Sequence, residues 1–161
     1  MNFIRKKDEI VYRLASMQAR IFEKASVSGF PSYYFIHAFL RSPDAASIDD
    51  LSFLIGGSSE TEVYLNVTAS LKKRSGGTIY PPNVMHWMGF FYRYGVYLSG
   101  ISSAKLIKTV SPKHLFGVYE AYHGLDIEKA VKRVFDELNI DNPTPAERFA
   151  FLFQNKLIKR V

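Results

Sequence analysis

The sequence predicts an all-α protein in which residues 1–161 form a single helical domain of seven to nine helices around a central aromatic-rich helix at 82–98. Three observations predict this fold class. Apolar residues recur at the spacing of one helical face in most segments. Serine, threonine or aspartate stands where helices should begin, sometimes followed by proline at the first helical position. Only one stretch, residues 59–74, also alternates in the manner of a β-strand.

The segment 82–98 carries the strongest helical pattern. One stripe along it is aromatic and aliphatic, and consists of Val84, Trp87, Phe90, Phe91, Tyr94 and Leu98. Apolar residues also cover much of the opposite side, namely Met85, Met88, Tyr92 and Val96. Neighbouring helices are therefore expected on most sides, with Trp87, Phe91 and Tyr94 largely buried. A narrow, more polar strip remains, and it is made of His86, Gly89, Arg93 and Tyr97.

The first third of the chain predicts three helices. A long amphipathic helix spans 6–26, and a short aromatic helix spans 32–40 with Ser32 as its candidate N-cap. The third helix begins with the capping pattern Ser47-x-x-Asp50 and ends at Gly56-Gly57.

Residues 59–74 allow two interpretations. Their alternating apolar residues are typical of a half-buried strand, and are Val63, Leu65, Val67, Ala69 and Leu71. A helical face fits as well, and Ser59-x-x-Glu62 resembles a capping box. Helix is preferred because the surrounding segments are helical, and because a strand would have only the short segment 77–80 as its partner.

Start signals predict four helices in the last third of the chain. The signals are Ser102, Ser111 followed by Pro112, Asp126, and the capping box Thr144-Pro145-Ala146-Glu147. The helix that begins after Ser111 is expected to end at Gly124. The helix after Thr144 carries an apolar stripe that its own domain or a partner must cover: Phe149, Leu152, Phe153 and Leu157.

Composition narrows the classes of function. The formal net charge of +6 permits binding to nucleic acid or to acidic proteins without demonstrating either. The chain has no cysteine, which excludes disulfides and thiolate sites, and no apolar run suggests a membrane span. Because the first residues also lack the pattern of a signal peptide, a cytoplasmic location is expected. Ten tyrosines and thirteen phenylalanines suggest that some aromatic surface is covered by a partner.

The four histidines give no strong metal signature. None of them pair at i, i+4, and Glu120-x-x-His123 supplies only half of a di-iron motif. His123 is instead expected near the end of its helix, where the dipole favours a cation. No metal, cofactor or catalytic group is therefore predicted.

An anion or ligand site is the main chemical hypothesis. His86, Arg93 and Tyr97 share the polar strip of the central helix, and Arg93 offers a fork that binds phosphate or carboxylate. His123 is included as a further candidate. The alternative is that Arg93 pairs with a carboxylate of a neighbouring helix or extends to water.

Basic residues occur in four clusters: Arg5-Lys6-Lys7, Lys72-Lys73-Arg74, Lys105/Lys108/Lys113 and Lys156/Lys159/Arg160. The helices at 102–110 and 113–123 have roughly the lengths of a helix-turn-helix. The second of them offers almost no Arg, Asn or Gln to read base edges. Only weak, non-specific binding to nucleic acid is therefore expected.

The segment 86–131 contains three motifs: G-x-x-Y-R-Y, a Ser-Ser turn and Y-x-x-Y-H-x-x-D. They are carried by Gly89, Tyr92, Arg93, Tyr94, Ser102, Ser103, Tyr119, Tyr122, His123 and Asp126. With these motifs the segment resembles an uncharacterised family of small bacterial proteins. The family occurs in toxin–antitoxin-like gene clusters beside toxins of ADP-ribosyltransferase type. The resemblance implies a cytoplasmic partner protein rather than an enzyme. The same residues also have structural interpretations, as helix caps and as aromatic core.

The function expected from these observations is protein–protein interaction, as an antitoxin-like partner that neutralises a toxin enzyme. Its interface is expected on Tyr33, Tyr34 and Tyr97, and a homodimer is a further expectation. A DNA-binding transcriptional regulator that uses the dispersed basic clusters is the alternative. An enzyme with an anion pocket at Arg93 and His86 is the third hypothesis.

Overall fold

The computed structural model describes residues 2–71 and 77–141 of the chain. In these residues the regular structure consists of nine helices. They are α1 (Asn2–Val27), α2 (Ser32–Leu40), α3 (Pro43–Asp49), α4 (Phe53–Gly56), α5 (Glu60–Ala69), α6 (Pro82–Ser99), α7 (Ser103–Thr109), α8 (Pro112–Tyr122) and α9 (Ile127–Glu137). The all-α prediction is thus confirmed, and so is the choice of helix for the stretch that begins at Ser59.

The long helices α1 and α6 pack against each other in antiparallel directions and form the centre of the fold. Gln18 of α1 lies against Gly89 of α6, and Tyr12 lies nearer the other end, against Tyr94. The two backbones approach closely at Gly89. A Cβ atom there would lie 2.8 Å from the carbonyl oxygen of Gln18 and 2.9 Å from Cα of Ala19.

Most residues of helix α6 are buried, as its composition predicts. Phe91 and Tyr92 are fully buried and Tyr94 is nearly so, whereas Trp87 is only partly buried. The narrow polar strip of His86, Gly89, Arg93 and Tyr97 is exposed to solvent over only part of its length. Gly89 and Arg93 are buried against α1, because that strip is part of the seam between the two helices.

The remaining helices cover both sides of this pair. The aromatic rings of Phe35 and Phe39 on α2 meet Phe22 of α1 at centroid distances of 5.4 Å and 5.1 Å. Helices α7, α8 and α9 pack on α6. Within the described residues, no helix is long and apolar enough to cross a membrane.

The structure corrects two predicted helix starts in the first third of the chain. Ser42 caps α3, since its hydroxyl accepts the Ala45 N–H at 3.1 Å and Pro43 follows at the first helical position. The prediction of one helix from Ser47 to Gly56 was therefore wrong, because two short helices occupy this stretch. Ser32 is not a cap either, since its hydroxyl accepts the Tyr80 N–H at 2.8 Å.

The other start signals within the described residues are confirmed. Ser59 and Glu62 form both hydrogen bonds of the predicted capping box. Ser102, Ser111 and Asp126 accept backbone N–H groups at the starts of α7, α8 and α9. The capping box at 144–147 and the apolar stripe from Phe149 to Leu157 lie outside the described residues.

Candidate functional site

A buried polar network joins α6 to three other helices through Arg93. The Arg93 guanidinium donates from Nε to Oε1 of Gln18 at 2.9 Å, from Nη1 to Asp49, and from Nη2 to Oγ of Ser103 at 3.2 Å. Asp49 in turn accepts the Ser103 N–H at 2.8 Å and the Ser103 hydroxyl at 2.6 Å. Gln18 donates to the Gly89 carbonyl at 3.0 Å. The polar side chains of this network are therefore hydrogen-bonded to one another or to the backbone of α6.

The environment of Arg93 is that of a structural ion pair. The Arg93 side chain is 4% exposed and that of Asp49 is 11% exposed. Burial lowers the pKa of the Arg93 guanidinium from its ordinary value, and the neighbouring Asp49 opposes that shift. Because all three guanidinium nitrogens are bound within the chain, an external anion would have to displace Asp49, Gln18 or Ser103.

A small, half-open cleft of about 20 Å³ lies beside this network. Its lining is apolar apart from Asp49 and Arg93, and includes Val11, Leu14, Ile48, Leu51, Val96 and Tyr97. Tyr97 is partly buried and packs against Tyr94 at a ring distance of 5.7 Å. The cleft has room for little more than one water molecule, and its two charged side chains already face each other.

The two histidines proposed for the anion site are not part of the network. His86 is exposed, and its Nδ1 lies 3.2 Å from a carboxylate oxygen of Glu23 on α1. His123 ends α8, where its Nδ1 lies 2.7 Å from the Tyr119 carbonyl and its ring stacks on Tyr119 at 4.4 Å. The structure therefore brings Arg93 and Tyr97 to one cleft and leaves His86 and His123 elsewhere.

Asp49 and Gln18 are the residues that the sequence analysis missed. A signal for Asp49 was present, because Ser42-Pro43 predicts a helix that would place Asp49 in its last turn. A carboxylate is unfavourable at that end of a helix, which indicates that it has a cationic partner. No comparable local signal exists for Gln18.

The motif residues of segment 86–131 contribute to packing within the chain. The Tyr92 hydroxyl donates to the Val110 carbonyl at 2.8 Å, and burial raises the pKa of Tyr92 well above its ordinary value. The Tyr119 hydroxyl accepts from Asn83 at 3.0 Å. Tyr122 donates to Glu137, which also lies 2.9 Å from His114. The first contact connects α6 with the end of α7, and the others connect α8 with α6 and α9.

An exposed aromatic patch lies on the outer face of α2. Tyr33 and Tyr34 are 56% and 40% exposed, and their rings meet edge to face at 5.4 Å. The ring of His37 lies 4.3 Å from that of Tyr33. Partial burial, with a smaller contribution from exposed Arg41, lowers the pKa of His37, so the ring is neutral at pH 7. We call these four residues the α2 patch.

Comparisons with protein-family models, with curated proteins and with solved structures find no match for this chain. Among the described residues, no group of three or more His, Asp or Glu side chains is placed to hold a metal ion. The interpretation of function therefore depends on the surface and the buried network described above.

Proposed function

We propose that this protein is a protein-binding module and that the α2 patch is its docking surface. The observation that carries the proposal is the pair of adjacent tyrosines, Tyr33 and Tyr34, held on the solvent face of a helix whose other face is fully buried. Tyrosine and arginine are enriched at protein interfaces and at their energetic centres.

The anchoring of α2 supports this assignment. The helix buries Phe35, Ile36, Phe39 and Leu40, so its backbone is fixed in the core. Two tyrosine rings on a fixed helix lose little conformational entropy when a partner covers them, because each ring has only two side-chain torsions. The neutral ring of His37 and the cationic Arg41 supply polar contacts at the edge of the patch.

The more specific proposal is an antitoxin-like role in the bacterial cytoplasm, in which the protein covers the active cleft of a toxin enzyme. Its support is the resemblance of segment 86–131 to proteins of toxin–antitoxin-like gene clusters. An enzyme with an anion pocket is less favoured, because the Arg93 guanidinium is bound by Asp49, Gln18 and Ser103. A DNA reader is also less favoured, because the exposed residues of α8 include no Arg, Asn or Gln to read base edges.

Co-purification from the native host tests the proposal. We expect the tagged wild-type chain to retain one stoichiometric protein partner, and the variant Tyr33→Ala/Tyr34→Ala to lose it without a change in the melting temperature. Phe116→Ala is the matched control, since this side chain is 47% exposed and lies on α8, outside the α2 patch. If the retained partner is a toxin, cells that express it alone should stop growing. Co-expression of the wild-type chain should then restore their growth.

Two results would contradict the proposal. In one, the double tyrosine variant retains the partner as fully as the wild type and the Phe116→Ala control. In the other, the wild-type chain retains no stoichiometric partner at all.

A further inference from the structure

An open groove lies along α1, beside the start of α5. Its volume of about 430 Å³ is within the range of sites that bind small molecules. The lining comes from α1, between Tyr12 and Arg20, and from Glu60 at the first position of α5. We call it the α1 groove. It shares no residue with the α2 patch or with the network around Arg93, so any ligand that it binds adds a function to the one proposed above.

The polar side chains of α1 reach the groove from one face of the helix. At 100° per residue, the four that line it fall within an arc of about 100°. They are Tyr12, Arg13, Ser16 and Arg20. Arg13 and Arg20 are about two helical turns apart, and Ser16 lies between them along the helix. Both guanidinium groups can therefore reach a ligand that is bound at the level of the serine.

The groove presents hydrogen-bond donors that have no partner in the described part of the chain. Arg13 forms no ion pair with another described residue, and the half-buried hydroxyl of Ser16 forms no hydrogen bond with one. Arg20 donates from Nε and Nη2 to one oxygen of Glu60, at 3.0 Å and 2.8 Å, so its other N–H groups can bind a ligand. The same pair holds the Arg20 guanidinium in place, which reduces the entropy cost of binding.

These donors favour a phosphate group as the ligand. Arg13 and Arg20 bring two positive charges to the groove against the single carboxylate of Glu60. A guanidinium binds phosphate or carboxylate through two parallel N–H bonds. A phosphate monoester has three terminal oxygens and can accept from both guanidinium groups at once, whereas a carboxylate has two oxygens and is filled by one guanidinium. The Ser16 hydroxyl can donate to the same phosphate.

An aromatic ring at one end of the groove extends the ligand beyond its phosphate. The Tyr12 ring packs against Phe90 and Tyr94 of α6 at centroid distances of 5.3 Å and 5.7 Å, yet the residue is 43% exposed. A ring that is fixed by its neighbours and still open to solvent is suited to stack on a planar group. Leu14 and Met17 add apolar lining. We propose that the α1 groove binds a small phosphate monoester that carries a planar ring, as a nucleoside monophosphate does.

Isothermal titration calorimetry of the full-length chain with AMP, inorganic phosphate and adenosine tests this proposal. The titrations are made at physiological ionic strength, where non-specific attraction of phosphate is weak. We expect saturable binding of one AMP per chain. Inorganic phosphate should bind at least about fivefold more weakly, because it cannot stack on the tyrosine. Adenosine should bind at least about tenfold more weakly than AMP, because it lacks the charge-assisted hydrogen bonds.

A pair of arginine variants assigns the binding to the groove. Arg13→Gln should weaken AMP binding by about tenfold or more without lowering the melting temperature, because this side chain is exposed. Arg133→Gln is the matched control, since Arg133 is an exposed arginine of α9 outside the groove, and it should bind AMP as the wild type does. Three results would overturn the proposal: no saturable binding of AMP at millimolar concentration, equal affinity for adenosine and AMP, or equal affinities of the two variants for AMP.

Discussion

Arg93 connects α6 to α1, α3 and α7 through hydrogen bonds of a single side chain. Removing a guanidinium and a carboxylate from water is costly, so a buried pair contributes little net stability by itself. The cost of breaking such a pair is much larger, because the remaining charge stays buried without its partner. The network therefore specifies how three helices are positioned on α6 more than it adds to the free energy of unfolding.

We expect Arg93→Met to lower the free energy of unfolding by about 3–5 kcal/mol, because Asp49 then loses its counter-charge. Asp49→Asn should also destabilise the protein, and the double variant should lose clearly less than the sum of the two single losses. Urea unfolding of the four proteins measures this coupling.

The exposed pair of Arg20 and Glu60 supplies the control for this experiment. Their side chains are 52% and 41% exposed, so Arg20→Met should cost no more than about 1 kcal/mol. Additive losses for Arg93→Met and Asp49→Asn, or a loss at Arg93 no larger than at Arg20, would refute the structural role of the network.

At the scale of elements, the seam between α1 and α6 depends on Gly89. A Cβ at this position would lie 2.8–2.9 Å from the backbone of Gln18 and Ala19 and from the ring of Phe22. Two of these neighbours are backbone atoms, which can move only if one helix shifts against the other. The absence of a side chain at Gly89 thus allows the two central helices to approach this closely.

Gly89→Ala should therefore destabilise the protein by about 1–3 kcal/mol, as overpacking of a tight interior does. Gly117→Ala is the matched control, because Gly117 is a helical glycine of α8 with no atom within 4 Å of its added Cβ. The control should raise stability by about 0.5–1 kcal/mol, since alanine restricts the unfolded chain. Thermal or urea unfolding measures both changes. If Gly89→Ala and Gly117→Ala change the free energy of unfolding in the same direction, the seam is looser than described.

For the whole molecule, the net charge of +6 does not amount to a nucleic-acid interface. Lys105 and Lys108 lie on α7 and Lys113 lies in the first turn of α8, whereas Lys132 pairs with Glu128 on α9. The exposed positions of α8 include no Arg, Asn or Gln. Charges without base-reading side chains give affinity that depends on salt and not on sequence.

We therefore expect weak binding to duplex DNA at low salt and its loss near physiological salt, as phosphate contacts alone predict. Fluorescence anisotropy with two unrelated duplexes over a salt series measures this. The two duplexes should bind equally. Nanomolar binding to one of them at physiological salt would instead support the transcriptional regulator.

The sequence alone determined where most helices begin, because caps and first-turn prolines act within four residues. Ser59 with Glu62, Ser111 with Pro112, and Asp126 each satisfy backbone N–H groups of their own helix. The apolar pattern of α6 also predicted the burial of Phe91 and Tyr94, whereas Trp87, which was expected to be buried with them, is only partly buried. Tyr33 and Tyr34 were predicted to be exposed, and the structure places both at the surface.

Only the tertiary structure decided what Arg93 does. Periodicity places Arg93 on the polar strip of α6, but it cannot say which helix covers that strip. Two of the partners of Arg93 are Asp49, 44 residues away in the chain, and Gln18, 75 residues away. Local sequence does not identify such distant partners, because they are set by how whole helices pack and by the need of a buried charge for a partner.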